Sequence, residues 1–464
     1  MQDQASPGIE NISHTMPGAS GFLARISASL VGMIALVLVA GLWLVGDHSA
    51  YDRLLTFWGM RPFSFPFVDV SGSLAAWECA RKGVDVIVAD PCDVLHRPYN
   101  YSPFWMDIAW IPLGQLQRVE VGLALGIGFL ISLAALPPPL SRSETALRIL
   151  ASLSTMVVFA IERANPDMLM FILVIVALAL LQRSVIARVL GYCVMFLAGA
   201  IKYYPFVLLV LVAKERLRVA ISIVLASVVG LVLFWHIYAA KILEGYPYIA
   251  HGSPFGDLIA ASNLPIGMAQ IVGNVTNSVH AATIAAMLTA VLLPMLICAM
   301  LFVFGLRTTV PAALHRLDEP RRLALLAGAL LLAGCFFTGQ SVGYRGIFLL
   351  PVLPGLFALG RDNASGPMAF TAWLAAISIP PLMWAEGVRF WIYVVATGQN
   401  SLPDFISVPV APLEIAAWCV RELLWSFLIA LLVTIILGFV VDKLRPQGIR
   451  DKFLRTVARK VAVT

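Results

Sequence analysis

Apolar residues gather in twelve runs along the chain, separated by shorter polar segments. Most runs approach the roughly 20 apolar residues of a membrane-spanning helix. The first exceeds a signal-peptide core and predicts an uncleaved anchor. The run near 205–213 is too short for a straight crossing. Because Pro205 starts it, it is either a broken span or a kinked continuation of the preceding helix. The runs lie at about 22–45, 119–137, 146–161, 166–181, 185–201, 205–213, 217–240, 281–306, 321–338, 344–359, 367–386 and 413–441.

The composition agrees with this pattern. Of the 464 residues, 60% are hydrophobic and only 12% are charged, about half the share of a soluble globular protein. This excludes a soluble enzyme, a disordered chain and a small disulfide-rich domain. Because lipid offers no hydrogen-bond partners, the backbone polar groups must be paired within the chain, and this favours helices. We therefore predict an all-α polytopic membrane protein, a transmembrane helix bundle of about 11–12 spans.

The distribution of positive charge predicts the orientation. With twelve spans both termini lie on one side, and 20 of the 32 Lys and Arg residues fall in the tails and short loops of that side. The positive-inside rule assigns this side to the cytoplasm. The net charge of +6 comes largely from the C-terminal tail, where basic residues favour contact with anionic lipid and not with nucleic acid.

Three parts of the chain follow from this topology. Residues 1–21 form a cytoplasmic tail, 22–441 the transmembrane domain and 442–464 a basic cytoplasmic tail. The domain has three long extracytoplasmic loops, at about 46–118, 241–280 and 387–412. Loops this long are usually functional. The amphipathic stretch Val70–Arg81 in the first loop predicts a helix lying on the membrane surface.

Charged residues at the outer ends of the spans are the candidate chemistry. Asp69 follows an apolar stretch in the first loop, and three cations, Arg163, Lys202 and Arg345, end or join later spans at the same face. Charges at this depth are costly and usually mark a substrate path. The candidate substrate-binding residues from the same segments are Glu162, Asn165, Tyr101, Tyr203, Tyr204, Gln340, Tyr344 and His251.

A lipid that carries a sugar phosphate fits this set of residues. The cations would hold the phosphate, and Arg suits this task through its planar fork of donors. A single carboxylate, Asp69, then suffices as general base for inverting transfer, because a phosphate leaving group needs no second acid. We expect no metal and no cofactor, since the sequence has neither zinc-spaced His and Cys residues nor an Asp-x-Asp pair in the first loop.

Several motifs resemble a known family. They are Asp69 followed by Ala75-Ala76, Gly83-Val84-Asp85 and Tyr99-Asn100-Tyr101-Ser102-Pro103, then the Glu162–Asp167 and Lys202–Pro205 segments. In order and spacing they resemble the polyprenyl-phosphate-sugar-dependent glycosyltransferases of the C superfamily (GT-C), most closely glycosyltransferase family 87, which includes phosphatidylinositol-mannoside mannosyltransferases. The resemblance covers roughly residues 20–360.

The resemblance implies a GT-C type helix bundle in a bacterial inner (plasma) membrane, with its active site facing the periplasm or exterior. It implies a polyprenyl-phosphate-linked sugar donor, with mannose favoured, and a glycolipid or glycan acceptor. It also implies that Asp69, which matches the family's first-loop aspartate, is the catalytic base.

Other interpretations stay open at this stage. Asp69 would cap a helix that starts near Ser71, Arg163 would pair with Glu162, and Lys202 would only extend towards the interface. For the whole chain, the alternatives to a glycosyltransferase are a transporter or flippase of lipid-linked sugar and an oligosaccharide ligase. Cys79 and Cys92 share the first outer loop, where oxidising surroundings would permit a disulfide.

Overall fold

The computed structural model describes residues 18–61, 63, 65–249, 252–305, 309–362, 366–398, 408–409 and 411–444. Its α-helices are α1 Gly18–Leu44, α2 His48–Phe57, α3 Val68–Arg81, α4 Phe104–Asp107, α5 Arg118–Leu133, α6 Arg142–Ser152, α7 Thr155–Arg163, α8 Asp167–Leu181, α9 Val185–Lys202, α10 Leu217–Gly245, α11 Asn263–Thr276, α12 Val279–Met300, α13 Thr309–Arg316, α14 Glu319–Thr338, α15 Leu349–Gly360, α16 Pro367–Met383, α17 Ala385–Thr397 and α18 Pro412–Leu444. A π turn, Leu301–Gly305, extends α12, and 3₁₀ helices span Gln115–Gln117, Tyr204–Lys214, Tyr246–Tyr248 and Gly343–Phe348. Strands β1 Leu258–Ile259 and β2 Ser341–Val342 pair antiparallel.

The chain is an all-α, multi-pass membrane protein. Eight described helical segments are long and apolar enough to cross a membrane, or up to ten if each of two bent helix pairs is one span. The sequence predicted about 11–12 spans. The difference lies in α8 and the 3₁₀ helix Tyr204–Lys214, which are apolar but shorter. At 1.5 Å per residue, the 15 residues of α8 fall short of a hydrocarbon core about 30 Å thick.

Two of the predicted spans are broken. Helices α6 and α7 meet at 46°, because the Ser154 hydroxyl accepts from the backbone N–H of Val157 and starts a new helix. Helices α16 and α17 meet at 57°, just after Pro380 and Pro381, which lack the N–H of a regular helix. The segment 387–412, predicted as a loop, is therefore helical as far as Thr397.

The centre of the bundle is formed by α14 and α15, and small residues let them approach closely. A Cβ on Gly328 would meet the Val352 side chain at 2.5 Å, and one on Gly355 would meet Leu325 at 2.6 Å. Such close packing holds membrane helices together, because lipid is as apolar as the protein interior and leaves little hydrophobic driving force for helix association. By contrast, only 6% of the most apolar 18-residue stretch within Leu217–Tyr248, the segment that contains α10, is buried inside the protein. This low burial is expected of a lipid-facing helix.

The segment that contains α3 packs into the protein. Helix α3 buries nine of its fourteen residues, so the prediction of a surface helix over Val70–Arg81 is wrong. The amphipathic pattern reflects burial against α5, α7 and the loop that follows α3. Cys79 near the end of α3 forms a disulfide with Cys92, which ties this loop to the helix.

The contact between Phe67 and Gly122 gives a test of this packing. A Cβ on Gly122 would stand 2.4 Å from the buried Phe67 ring, whereas one on Gly41 in α1 meets no atom within 4 Å. Overpacking costs about 1–3 kcal/mol, which exceeds the roughly 1 kcal/mol that Ala gains over Gly within a helix. We expect Gly122→Ala to lower the Tm of the detergent-solubilised protein and Gly41→Ala to leave it unchanged or raise it. Equal Tm values for the two variants would contradict this packing.

Candidate functional site

The backbone before Asp69 is held in an unusual conformation. Phe67, the residue before α3, has a φ of 63° and is almost fully buried. Its backbone N–H donates to the Glu162 carbonyl at 2.7 Å, which fixes the start of α3 to the end of α7. A non-glycine residue in the left-handed region is strained, and such strain is typical of functional sites. Asp69 lies in the first turn of α3.

The Asp69 carboxylate faces one amide and two guanidinium groups. Asn165 Nδ2 donates to Asp69 Oδ2 at 2.7 Å. Asp69 Oδ1 lies 3.7 Å from Arg97 Nη1 and 3.9 Å from Arg163 Nη1. The side chain keeps 11% of its surface exposed. It lies inside the helix and not at its cap, so the capping interpretation is wrong.

Arg97 belongs to this site although the sequence did not single it out. Its Nε donates to Asp93 Oδ2 at 2.7 Å and its Nη2 to the Val68 carbonyl at 2.9 Å. The Cys79–Cys92 disulfide precedes this segment directly and limits how far it moves from α3. The available signal was the position of Arg97 at the head of the aromatic 97–105 segment.

Behind Asp69 lies a fully buried polar cluster. Asn165 Oδ1 accepts from Lys202 Nζ at 3.2 Å and from the backbone N–H of Asp167 at 2.9 Å. Lys202 Nζ also lies 2.7 Å from Asp167 Oδ1, which accepts from the Tyr204 hydroxyl at 2.6 Å. Lys202 therefore does not merely extend to the interface: it ends inside the protein on a buried carboxylate.

Arg345 approaches the same carboxylate from the other side. Its Nε is 3.5 Å from Asp167 Oδ2, its Nη1 donates to Ser341 Oγ, and its guanidinium lies 5.1 Å from the centre of the Tyr204 ring. Its side chain is 21% exposed, against 7% for Lys202. Of the two cations, Arg345 is the one that an incoming anion reaches more easily.

Arg163 stands between aromatic rings at the end of α7. Its guanidinium lies 3.9 Å from the centre of the Phe63 ring and 4.7 Å from that of Phe159. Its Nε is 3.3 Å from Glu162 Oε2, so the predicted ion pair between these neighbours is present. Glu162 is also bonded by Tyr51, whose hydroxyl donates to Oε1 at 2.8 Å. The buried carboxylate of Glu162 thus positions the Arg163 guanidinium.

Two of the predicted tyrosines face the cluster. The Lys202 ammonium lies 5.1 Å from the centre of the Tyr101 ring and 5.8 Å from that of Tyr344. Burial, and next the charge of Asp69, hold the pKa of Tyr101 well above its usual value. Its phenol therefore stays neutral at physiological pH and keeps a proton to donate.

The remaining candidates are placed less directly. Tyr203 is 36% exposed and packs against Phe234, with ring centres 6.2 Å apart. Gln340 exchanges hydrogen bonds with the backbone of Gly252 at 2.9 and 3.1 Å. It joins two outer segments and contacts none of the cations above through these bonds. His251 lies outside the described residues.

A cavity of about 370 Å³ adjoins this cluster at Arg163. Its wall combines the rings of Phe63 and Phe159 with the polar residues Ser253 and Asp257. Asp257 lies in the segment that was predicted only as a long loop, at about 241–280. Burial, and then the charge of Glu386, raise the pKa of Asp257.

An ionic network beside the cavity fixes the segment that contains Asp257. Arg421 in α18 donates to Glu386 Oε1 at 2.9 Å and to the carbonyls of Gly256 and Pro254. Arg389 donates to Glu386 Oε2 at 3.2 Å. These residues were missed because the sequence places them at the end of one span, in a loop and in the final span, all far from the Asp69 motifs.

Comparison with protein-family models, with curated proteins and with solved structures finds no match for this chain.

The pairing of Lys202 with Asp167 gives a prediction about stability. Removing one partner of a buried ion pair costs about 3–5 kcal/mol, because the other charge is left without compensation. We expect Lys202→Met to lower the Tm clearly, and the added change Asp167→Asn to restore part of the loss. The exposed Lys241, changed to Met, is the matched control. A Lys202→Met variant as stable as Lys241→Met would contradict the pairing.

Proposed function

We propose that this protein is an inverting glycosyltransferase that moves one hexose from a polyprenyl-phosphate donor to a glycolipid or glycan acceptor. Mannose is the favoured sugar. In this proposal the reaction takes place at the outer face of a bacterial inner membrane, and Asp69 is the general base. The observation that carries the proposal is the environment of Asp69: a partly exposed carboxylate, held by Asn165 at Oδ2, with two guanidinium groups near its Oδ1.

This environment suits a base in a displacement reaction. The Asn165 amide holds Asp69 Oδ2, which leaves Oδ1, near 4 Å from both guanidinium groups, to receive the proton of an acceptor hydroxyl. As the oxygen of the acceptor hydroxyl attacks the anomeric carbon of the donor sugar, the bond between that carbon and the phosphate oxygen breaks on the opposite side. The electron pair leaves with the polyprenyl phosphate, which gains one negative charge.

The positively charged side chains near Asp69 would compensate the negative charge that the polyprenyl phosphate gains. Arg345 has the most exposed side chain of the three candidate cations, at 21% against 13% for Arg163 and 7% for Lys202, so it is our first choice for contact with the phosphate. Lys202 is bonded to Asp167 and raises the local potential from within. Arg163, beside Asp69, is the third candidate. Fixed donors of this kind act without reorganisation at the moment of reaction.

The broken helices favour the second candidate function, transport of a lipid-linked sugar. Discontinuous helices that meet at a binding site are typical of transporters. Here α7 and α17 both end or begin beside the cavity, and Gly387 N–H donates to Thr155 Oγ1 at 3.2 Å between them. The clustering of base and cations around one carboxylate favours chemistry over passage, and the experiment below separates the two functions.

The decisive substitution is Asp69→Asn, which keeps the shape and removes the base. A general base contributes about a hundredfold to ten-thousandfold to a rate. With purified protein in lipid, radiolabelled polyprenyl-phosphate mannose and sugar acceptors, we expect Asp69→Asn to lower kcat by this factor. Asp85→Asn, an exposed acid of the same loop, is the control and should retain activity.

Three results would count against the proposal. Full transfer by Asp69→Asn would remove Asp69 as base. No transfer by the wild type from any polyprenyl-phosphate sugar, combined with movement of lipid-linked sugar across liposomes, would establish the transporter. Transfer from a lipid pyrophosphate donor alone would identify a ligase.

A further inference from the structure

The cavity beside Arg163 offers the two kinds of surface that a sugar presents. Phe63 and Phe159 provide aromatic faces that suit the apolar face of a sugar ring. Ser253, Asp257 and Glu386 provide hydroxyl and carboxylate groups on the same wall. Its volume of about 370 Å³ lies at the small end of the range for ligand pockets, about 300–1,000 Å³. This size favours one sugar unit over an extended glycan.

The two acidic residues of the cavity wall differ in whether their carboxylate oxygens already have hydrogen-bond partners. Glu386 is satisfied, since Arg421 and Arg389 each hold one of its oxygens. Asp257 Oδ2 is buried without a hydrogen-bond partner among the described residues. Oδ2 itself is closed to solvent, so a ligand hydroxyl reaches this carboxylate at its other oxygen, Oδ1, from the cavity that the half-buried Asp257 side chain lines.

The surrounding backbone holds Asp257 in place and leaves room for its carboxylate. Strand β1 follows Asp257 directly and pairs with β2, and Gly343 N–H donates to the Asp257 carbonyl at 2.8 Å. A Cβ on Gly343 would stand 1.8 Å from Asp257 Oδ1. Only glycine at 343 therefore permits the observed position of the carboxylate.

The lining of the cavity indicates which substrate it takes. Arg163 belongs to the cavity wall and also approaches Asp69 at 3.9 Å, so this one side chain links the cavity to the base. Of the three donor-phosphate candidates, Arg163 lines the cavity, whereas Lys202 and Arg345 are not among the described residues that line it. An acceptor has to present its hydroxyl to Asp69 from a place that leaves Lys202 and Arg345 to the donor.

We propose that this cavity binds the sugar ring of a glycosylated acceptor and that Asp257 accepts a hydrogen bond from one of its hydroxyl groups. This assignment rests on the proposed glycosyltransferase function and adds to it where the acceptor sugar binds and which residue selects it. Asp257 acts here as a specificity-determining residue and takes no proton in the reaction.

The test uses Asp257→Asn in the full chain, with polyprenyl-phosphate mannose as donor and octyl mannoside as acceptor. A hydrogen bond to a charged group accounts for about a tenfold to a hundredfold change in affinity. We expect the KM for octyl mannoside to rise by this factor, while the KM for the donor and kcat at saturating acceptor stay near the wild-type values. Asp85→Asn is the matched control.

A second variant protects the test against a folding defect. Val342→Phe narrows the cavity from β2 without changing any charge, and it should also raise the acceptor KM alone. An unchanged acceptor KM in both variants, with transfer intact, would overturn the acceptor assignment and leave the glycosyltransferase standing. No transfer by the wild type from any polyprenyl-phosphate sugar would overturn the proposed function and the acceptor assignment with it.

Discussion

The side-chain amide of Asn165 is the interaction on which the candidate site depends. Its nitrogen donates to Asp69 on α3, and its oxygen accepts from Lys202 on α9. In a chain with so few charged residues, each buried charge needs a partner, because an unpaired one costs several kcal/mol. One amide thus joins the first turn of α3 to the end of α9 and links the acid Asp69 to the cation Lys202.

Around that amide, charge compensation divides the residues into two groups. Lys202 and Asp167 satisfy each other within the protein, and Glu162 is held by Tyr51 and Arg163. Asp69, Arg97, Arg163 and Arg345 keep between 11% and 38% of their side-chain surface exposed, against 7% or less for Lys202, Asp167 and Glu162. In the proposed reaction the buried group supports the site and the more accessible group contacts substrate.

The class of the fold was predictable because span-length apolar runs in so poorly charged a chain leave few alternatives to membrane helices. The breaks in the helices were harder to predict. The run over 146–161 is mostly apolar and holds Ser152, Ser154 and Thr155 near its middle, but only the cap formed by the Ser154 side chain shows that two helices meet there. Asp69, Arg163, Lys202 and Arg345 were predicted as a group from their places at span ends, and the structure brings them together. Arg97, Asp257 and Glu386 were not predicted, because their roles depend on the three-dimensional packing of loops distant in sequence.

The central claim is a single displacement with one carboxylate as base, and the stereochemistry of the product tests it most directly. The anomeric configuration of the transferred sugar can be read by NMR from the one-bond carbon–hydrogen coupling at its anomeric carbon. The account predicts a configuration opposite to that of the sugar in the polyprenyl-phosphate donor. A product with the donor's configuration would require a second displacement, or a covalent intermediate, and would contradict the role given to Asp69.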